Sequence, residues 1–263
     1  MAEYATILLE KKGRIAKVTL NRPAALNAIN QRMIGELAAV VDALERDGEC
    51  DVVILTGAGR AFCAGRDIKE MGQSLDQTNL LMATGDRIRL LDKPTIAAVN
   101  GYAVTGGFEL ALCCDIIIAA EEARFADTHA RLGLVPGLGL SQLLPRLVGT
   151  KKAKEMSFTG NYMTAREALQ FGLVNRVVPA GELEAAVEAL ANDILSCDRA
   201  IVRKMKKLID GGQGMGIEQA FMLERYEQML HKQGLTAADV ERRRKGVMER
   251  GRAQAAKEQG GRK

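Results

Sequence analysis

The sequence lacks the features that identify several classes of protein. No apolar run approaches the roughly 20 residues of a membrane-spanning helix, so a membrane protein is not expected. The five cysteines include an adjacent pair but no CxxC spacing, which argues against both a disulfide framework and a zinc knuckle. Unpaired thiols and the lack of a leader-like N-terminus predict a soluble, cytoplasmic chain.

Three common catalytic or nucleotide-binding motifs are also missing. The glycine-rich loop at residues 56–71 matches neither GxGxxG nor the P-loop pattern, and Ser141 lies in no GxSxG context. The net charge of +4 is mild and owes much to residues 241–263, so it does not by itself indicate nucleic-acid binding. A charge of this size is compatible with a small anionic ligand.

Alternating strand and helix patterns predict an α/β fold. Of the 263 residues, 47% are hydrophobic, which is enough for one large core. Strands at residues 4–10 and 15–20 read as a hairpin, and a helical apolar period then continues up to Gly48 before a short buried strand at 52–55. This β-α-β order predicts a parallel crossover. Further strands are predicted at residues 95–99, 116–119 and 173–178.

Helix signals dominate the second half of the chain. Pro136 and Pro145 are expected to interrupt helix, and Thr150 and Thr164 are expected to be N-caps. From Glu182 onward the apolar period is helical. The polar tail after residue 251 is expected to be mobile.

The most informative stretch covers residues 94–115. It reads as a buried strand, a turn at Asn100, and a helical run that opens with Gly106 and carries one acid, Glu109. Adjacent glycines at a helix start leave backbone N–H groups uncovered, where a ligand oxygen can approach them. The carboxylate then lies one helical turn from such an amide. The alternative is a glycine-kinked core helix whose Glu109 reaches solvent.

Four segments carry a resemblance to a known family. They are NRPAALNAI (21–29), AFCAGRDIKEM (61–71), AAVNGYAVTGGFELALCCD (97–115) and FADTHARLGLVPGLG (125–139). Together they resemble the enoyl-CoA hydratase/isomerase family, the crotonases, and the similarity covers most of the chain. The resemblance implies a superhelix of repeated ββα turns over residues 1–195 and a helical region over 196–263. That helical region would cover the pocket and form trimers, which often pair into hexamers.

The resemblance also assigns roles to individual residues. The backbone N–H groups of Arg66 and Gly106 match the oxyanion hole that holds the thioester oxygen of an acyl-CoA. Five residues match positions that line the pantetheine and adenine pocket: Ala25, Leu26, Ala64, Asp67 and Ile68. No metal or redox cofactor is implied, because the coenzyme A thioester is the substrate.

The catalytic pair departs from the hydratase pattern at one position. Hydratases of the family use two glutamates, of which one matches Glu109 and the other matches His129. An imidazole exchanges protons near neutrality, so proton chemistry is preserved. Related isomerases and dehalogenases place an aspartate where this chain has Gly137, which argues against both reactions. A purely structural role for His129 is the alternative.

These residues predict an enoyl-CoA hydratase that adds water across the 2,3 double bond of a thioester. A double-bond isomerase or an acyl-CoA hydrolase that uses Glu109 alone is the alternative within the family. An RNA-binding relative is a third class, and solvated helix faces are the ordinary explanation for the basic residues it would need: lysines 151, 152, 204, 206 and 207 and residues 242–245.

Overall fold

The described residues form two β-sheets and a series of helices. The computed structural model describes residues 4–70, 75–232 and 236–260. Its strands are β1 (Ile7–Lys12), β2 (Ile15–Leu20), β3 (Val52–Gly57), β4 (Ala61–Cys63), β5 (Thr95–Val99), β6 (Tyr102–Val104), β7 (Ile116–Ala120), β8 (Arg124–Ala126), β9 (Met163–Thr164) and β10 (Arg176–Val178).

The helices follow the strands and fill the C-terminal part of the chain. They are α1 (Gln31–Arg46), α2 (Leu75–Leu90), α3 (Gly106–Leu112), α4 (Leu140–Val148), α5 (Thr150–Thr159), α6 (Ala165–Gln170), α7 (Leu183–Leu195), α8 (Arg199–Gly212), α9 (Ile217–Lys232) and α10 (Ala237–Gly260). No helix of the described residues is both long enough and apolar enough to cross a bilayer.

The larger sheet is mostly parallel and is covered on both faces. Its strand order is β1-β2-β3-β5-β7-β10, and the β1-β2 hairpin is its antiparallel pair. The predicted crossover is confirmed, because β2 and β3 pair in parallel on either side of α1. One face packs against α1, whose buried positions repeat at helical spacing: Met33, Ile34, Leu37, Val40, Val41 and Leu44. The other face packs against buried residues of α7, which include Leu183, Val187 and Ala191.

The smaller sheet positions the candidate site. It has the order β4-β6-β8-β9, and β4, β6 and β8 run parallel to one another. Carboxyl ends of parallel strands share one edge of a sheet, where ligands bind in α/β proteins. The segment that follows β4, the helix α3 that follows β6 and the loop that follows β8 therefore start at the same edge. The sequence does not predict β4 and β6, because three residues are too short to show a period.

Of the predicted helix caps and breaks, the cap at Thr164 is confirmed, whereas the cap at Thr150 and the break at Pro145 are wrong. Thr164 caps α6 in a capping box with Glu167. Helix α5 begins at Thr150 instead of after it, because Gly149 takes the N-cap position with a φ of 80° that favours glycine. Pro145 lies inside α4. The helix tolerates it because the carbonyl left without a donor belongs to exposed Ser141, near the N-terminus, where solvent can satisfy it.

Contact density divides the chain into two compact units, Met1–Lys206 and Lys207–Lys263. The boundary after residue 195 stays a prediction. Helix α10 extends through Gly260, into the tail whose mobility also stays a prediction.

Candidate active site

Glu109 lies at the centre of the site and is buried, with 1% of its surface exposed. The alternative in which it reaches solvent is therefore wrong. Its Oε1 atom accepts hydrogen bonds from the backbone N–H groups of Gly137 (3.2 Å), Leu138 (2.8 Å) and Leu140 (3.5 Å). Burial raises the pKa of the carboxyl group, although these N–H groups and His129 act in the opposite direction. One oxygen is thus fixed by backbone, and Oε2 is left for chemistry.

His129 faces that second oxygen. Its Nε2 atom lies 3.7 Å from Glu109 Oε2, and its Nδ1 atom lies 2.6 Å from Asp127 Oδ1. The His129 backbone N–H also donates to Asp127 Oδ1, over 3.2 Å. Because the carboxylate of Asp127 accepts the Nδ1 proton, the ring is oriented with Nε2 toward Glu109. The structure therefore brings together the two residues that the sequence singled out.

Asp127 is the residue of this cluster that the sequence analysis missed. Its side chain is buried, and burial raises the pKa of its carboxyl group. Hydrogen bonds from the side chains of His129 and Ser157 outweigh that effect, and the net pKa shift is downward. Asp127 is therefore a carboxylate at neutral pH. The signal that could have revealed it is its place two residues before His129, directly after a strand.

The backbone nitrogen of Arg66 lies beside Gly106 at the start of α3. Ile29 and Arg66 form an isolated parallel β-bridge, in which the hydrogen bonds are made by the two residues that flank Arg66. The N–H of Ile29 donates to Gly65 O (2.8 Å), and the N–H of Asp67 donates to Ile29 O (3.0 Å). The N–H of Arg66 therefore points away from Ile29. Gly106 is the first residue of α3, where an N–H has no partner within the helix. A Cβ atom added to Gly106 would lie 3.7 Å from the Arg66 nitrogen, so a side chain there would occupy the space beside this nitrogen.

Thr105 connects the two sides of the site. Its backbone has φ 52° and ψ −114°, a conformation that a β-branched residue rarely adopts and that costs on the order of 1–3 kcal/mol. Its N–H donates to Ala126 O (2.8 Å), and its hydroxyl group lies 2.5 Å from the hydroxyl group of Thr128. These bonds link the start of α3 to the loop that carries His129.

The residues matched to the coenzyme A pocket lie around one loop. Leu26 has a φ of 51°, and its carbonyl accepts the N–H of Ala64 over 3.0 Å. Asp67 Oδ2 lies 3.0 Å from the guanidinium of Arg22. Ala25 ends a 3-10 turn beside Leu26, and the side chain of Ile68 is 69% exposed. The structure thus brings Leu26, Ala64 and Asp67 together, while their role toward coenzyme A stays a prediction.

Helix α2 lies against the loop that holds Glu109. A Cβ atom added to Gly137 would lie 3.5 Å from Met82 Sδ, whereas Leu81 is buried. The sequence suggests Met71, Leu81 and Met82 for the wall of the acyl pocket, and of these Met71 lies outside the described residues. Gly137 offers no side-chain acid, but its N–H holds Glu109.

Two of the basic residues suggested for an RNA-binding face make contacts within the protein. Lys152 Nζ lies 3.1 Å from Glu155 and over the ring of Phe171, and Lys206 pairs with Asp115. Within the described part of the chain, no group of three or more histidine, cysteine, aspartate and glutamate side chains is arranged to hold a metal ion.

Comparisons with known proteins identify relatives of this chain. The chain is 43% identical to a short-chain-enoyl-CoA hydratase of Clostridium acetobutylicum over 84% of its own length and 87% of that protein. It is 40% identical to a crotonyl-CoA hydratase of Syntrophomonas wolfei, with the same shares of the two chains covered.

Solved structures give the same result. An enoyl-CoA hydratase of Geobacillus kaustophilus superimposes with a TM-score of 0.86 and 36% identity, over 95% of this chain and 97% of the other. A chain from Thermobifida fusca, solved in complex with CoA, superimposes with a TM-score of 0.81 and 34% identity, over 86% and 93%. The sequence model of enoyl-CoA hydratase/isomerase matches residues 10–256. With its crotonase fold, the chain therefore belongs to the enoyl-CoA hydratase/isomerase family.

Proposed function

We propose that this protein is an enoyl-CoA hydratase, a lyase that adds water to the 2,3 double bond of an acyl-CoA thioester. The observation that carries the proposal is the 3.7 Å separation of Glu109 Oε2 and His129 Nε2, one helical turn from the Gly106 amide. Two proton-exchanging groups thus face each other beside a pair of uncovered N–H groups. Hydration needs both proton-exchanging groups, because one proton leaves the water molecule and another is added to the α-carbon.

The amide pair polarises the substrate. The N–H groups of Arg66 and Gly106 donate to the thioester oxygen and stabilise the negative charge that develops there as the β-carbon is attacked. Removal of one such donor costs about 10²- to 10³-fold in rate in other enzymes. These donors belong to the backbone, so the geometry of α3 and of the segment after β4 sets their direction.

Glu109 and His129 divide the proton transfers. Glu109 Oε2 accepts a proton from water as the water oxygen bonds to the β-carbon, and imidazolium Nε2 of His129 donates a proton to the α-carbon. The double bond is consumed, and the product is a 3-hydroxyacyl-CoA. Transfer of the proton from Glu109 back to His129, across their 3.7 Å separation or through the next water molecule, restores the starting state.

Asp127 supports this division. Its carboxylate accepts the Nδ1 proton of His129 and holds the ring with Nε2 directed at the reacting atoms. The three N–H groups on Glu109 Oε1 keep the other oxygen directed at the reacting atoms. We therefore assign Glu109 as the base, His129 as the acid and Asp127 as a positioning residue.

The isomerase and hydrolase alternatives use Glu109 alone. Neither accounts for a second buried group that is held by its own carboxylate and faces Glu109. The isomerase also lacks an acid at Gly137. Hydration is for these reasons the preferred reaction.

The decisive experiment uses crotonyl-CoA. Loss of the ultraviolet absorbance of the conjugated thioester, with a product heavier by one water molecule, is expected for the wild-type protein. Glu109→Gln should abolish most of this activity, and Glu122→Gln, at an exposed position, is the matched control. Free CoA as the product would identify a hydrolase, and an unchanged mass an isomerase.

We also propose a homotrimer or hexamer in the cytoplasm that uses acyl-CoA without a metal or redox cofactor. Exposed apolar side chains support assembly. Among them are Val135, which is 85% exposed, Phe158, which is 74% exposed, and Ile217, which is 66% exposed. The five cysteines are all free, as expected in a reducing compartment. Light scattering at several concentrations would determine the number of subunits.

A further inference from the structure

The side chain of Arg66 carries a positive charge that no carboxylate of the described chain neutralises by direct contact. Its Nη1 atom donates to Thr78 Oγ1 over 3.4 Å, and its buried Nε atom has no hydrogen-bond partner. The charge of Glu70 acts on it, but that carboxylate accepts the N–H of Gln31 over 2.8 Å. A partly buried guanidinium without a direct counter-ion costs free energy, so contact with an anionic ligand would stabilise this group.

Two other partly buried arginines of the described residues, Arg22 and Arg203, are paired with carboxylates. The guanidinium of Arg22 lies 3.0 Å from Asp67, and that of Arg203 lies 3.2 Å from Asp51. The Nε atom of Arg203 also has no partner, yet its charge is matched by this ion pair. Arg66 differs from both, because its direct contact is with a neutral hydroxyl group.

Arg66 lies beside the acyl part of the proposed site. Its Cγ atom is 4.0 Å from the position of a Cβ atom added to Gly106. Its guanidinium reaches Thr78 on α2, and Met82 follows one turn later on the same face of that helix. Since Met82 Sδ lies 3.5 Å from a Cβ position at Gly137, this face of α2 borders the loop that holds Glu109. The guanidinium therefore lies on the side of the proposed site that α2 and this loop border, where we place the acyl chain.

We propose that Arg66 is a specificity-determining residue that binds a carboxylate on the acyl chain, so that the preferred substrates are 2-enoyl-CoA thioesters of dicarboxylic acids. This inference rests on the proposed hydratase function and names its substrate class. Because Nη1 is bonded to Thr78 and Nε is buried, Nη2 is the nitrogen left to donate to a carboxylate. An entirely apolar acyl chain would leave this charge unpaired.

The test compares two families of substrate on two proteins. A series of ω-carboxy 2-enoyl-CoA thioesters and their methyl esters is assayed for kcat/KM with the wild type and with Arg66→Met. The wild type should prefer the best carboxylate over its ester by about 10-fold or more, as expected for a charge-assisted contact. Arg66→Met should bring this ratio close to one. A general loss of activity in the variant cancels in the ratio.

A binding measurement separates the two proposals. Titration calorimetry with the saturated ω-carboxy acyl-CoA and its methyl ester should show the same preference in the wild type and its loss in Arg66→Met, whether or not turnover occurs. If crotonyl-CoA is hydrated but the wild-type ratios are near one, the Arg66 inference is wrong and the hydratase function stands. If carboxylates are preferred but nothing is hydrated, the hydratase function fails instead.

The phosphates of coenzyme A are the other possible source of an anion. Thioesters of 3′-dephospho-CoA are therefore assayed with both proteins. If Arg66→Met changes the ratio between CoA and dephospho-CoA thioesters and leaves the carboxylate ratio unchanged, Arg66 binds the phosphate and the proposal is overturned. Circular dichroism and the thermal midpoint of each variant establish that it is folded.

Discussion

The two halves of the candidate site are held in place by different means. In the α3 half, the carboxylate of Glu109 is fixed by backbone N–H groups, of which Leu138 gives the shortest bond at 2.8 Å. In the half after β8, the ring of His129 is fixed by the side chain of Asp127 at 2.6 Å. The hydroxyl contact between Thr105 and Thr128 joins the two halves.

This difference determines which substitutions each half should tolerate. A backbone N–H persists when the side chain that follows it is changed, so the residues that hold Glu109 can vary in side chain. The orientation of His129 depends on the carboxylate of Asp127. A substitution of Asp127 should therefore lower the reaction rate, although this residue does not contact the substrate. The predictions below use this contrast, beginning with the largest expected effect.

The largest effect is expected at Gly106. A Cβ atom there meets no atom closer than 3.7 Å, so Gly106→Val should fold, but its side chain would fill the space beside the backbone nitrogen of Arg66. Turnover should fall by at least about 10³-fold, since the valine side chain would block the thioester oxygen from both N–H groups. Gly35→Val, at an open position in α1, is the matched control. Full activity in a folded Gly106→Val protein would place the oxyanion hole elsewhere.

Glu109→Gln should follow, with a loss of at least about 10²-fold in kcat, because the amide keeps the shape and lacks basicity. Affinity for acyl-CoA should change by only a few-fold. The pH profile of the wild type gives a second test. The raised pKa of Glu109 means that the base protonates at higher pH than an ordinary glutamate, so the acid limb should lie correspondingly higher. Unchanged turnover in Glu109→Gln would refute the assignment.

His129→Ala should lower hydration by on the order of 10²-fold per folded molecule. His129→Glu restores the usual pair of carboxylates and should recover part of the activity. The other histidine of the chain, His231, supplies the control, and His231→Ala should be fully active. If His129→Ala lost only thermal stability and kept its turnover, the ring would be structural, and the isomerase or hydrolase reaction would move ahead of hydration.

The smallest effect is expected for Asp127→Asn, about 10-fold in kcat, because the ring keeps its nitrogen atoms but loses its orienting charge. The loss should appear in kcat more than in KM, and Asp193→Asn on α7 should show neither change. A merely structural role would lower the thermal midpoint and leave the pH profile unchanged. An unaltered pH profile with full kcat would therefore remove Asp127 from the mechanism.

The same contrast explains what the sequence could predict. Gly106 and Glu109 lie within four residues of one helix, so their relation is local and follows from the helical rise. Strands β5 and β2 were predicted with their observed bounds, because each is a continuous apolar or alternating run. The sequence does not predict the role of Asp127, because its hydrogen bond to His129 depends on how the short loop after β8 folds. Pro145 inside α4 was mispredicted, because solvent access to a carbonyl depends on the tertiary fold.

The central claim is that Glu109 and His129 together add the elements of water, and it is tested most directly by hydration of crotonyl-CoA in heavy water. Mass spectrometry and NMR of the product report both the added water and the position of deuterium. The account predicts a 3-hydroxyacyl-CoA with one deuterium at the α-carbon in a single diastereomer, because His129 delivers it to one face, and predicts loss of that selectivity in His129→Ala. Deuterium in equal amounts at both α-positions of the wild-type product, or a product without added water, would contradict it.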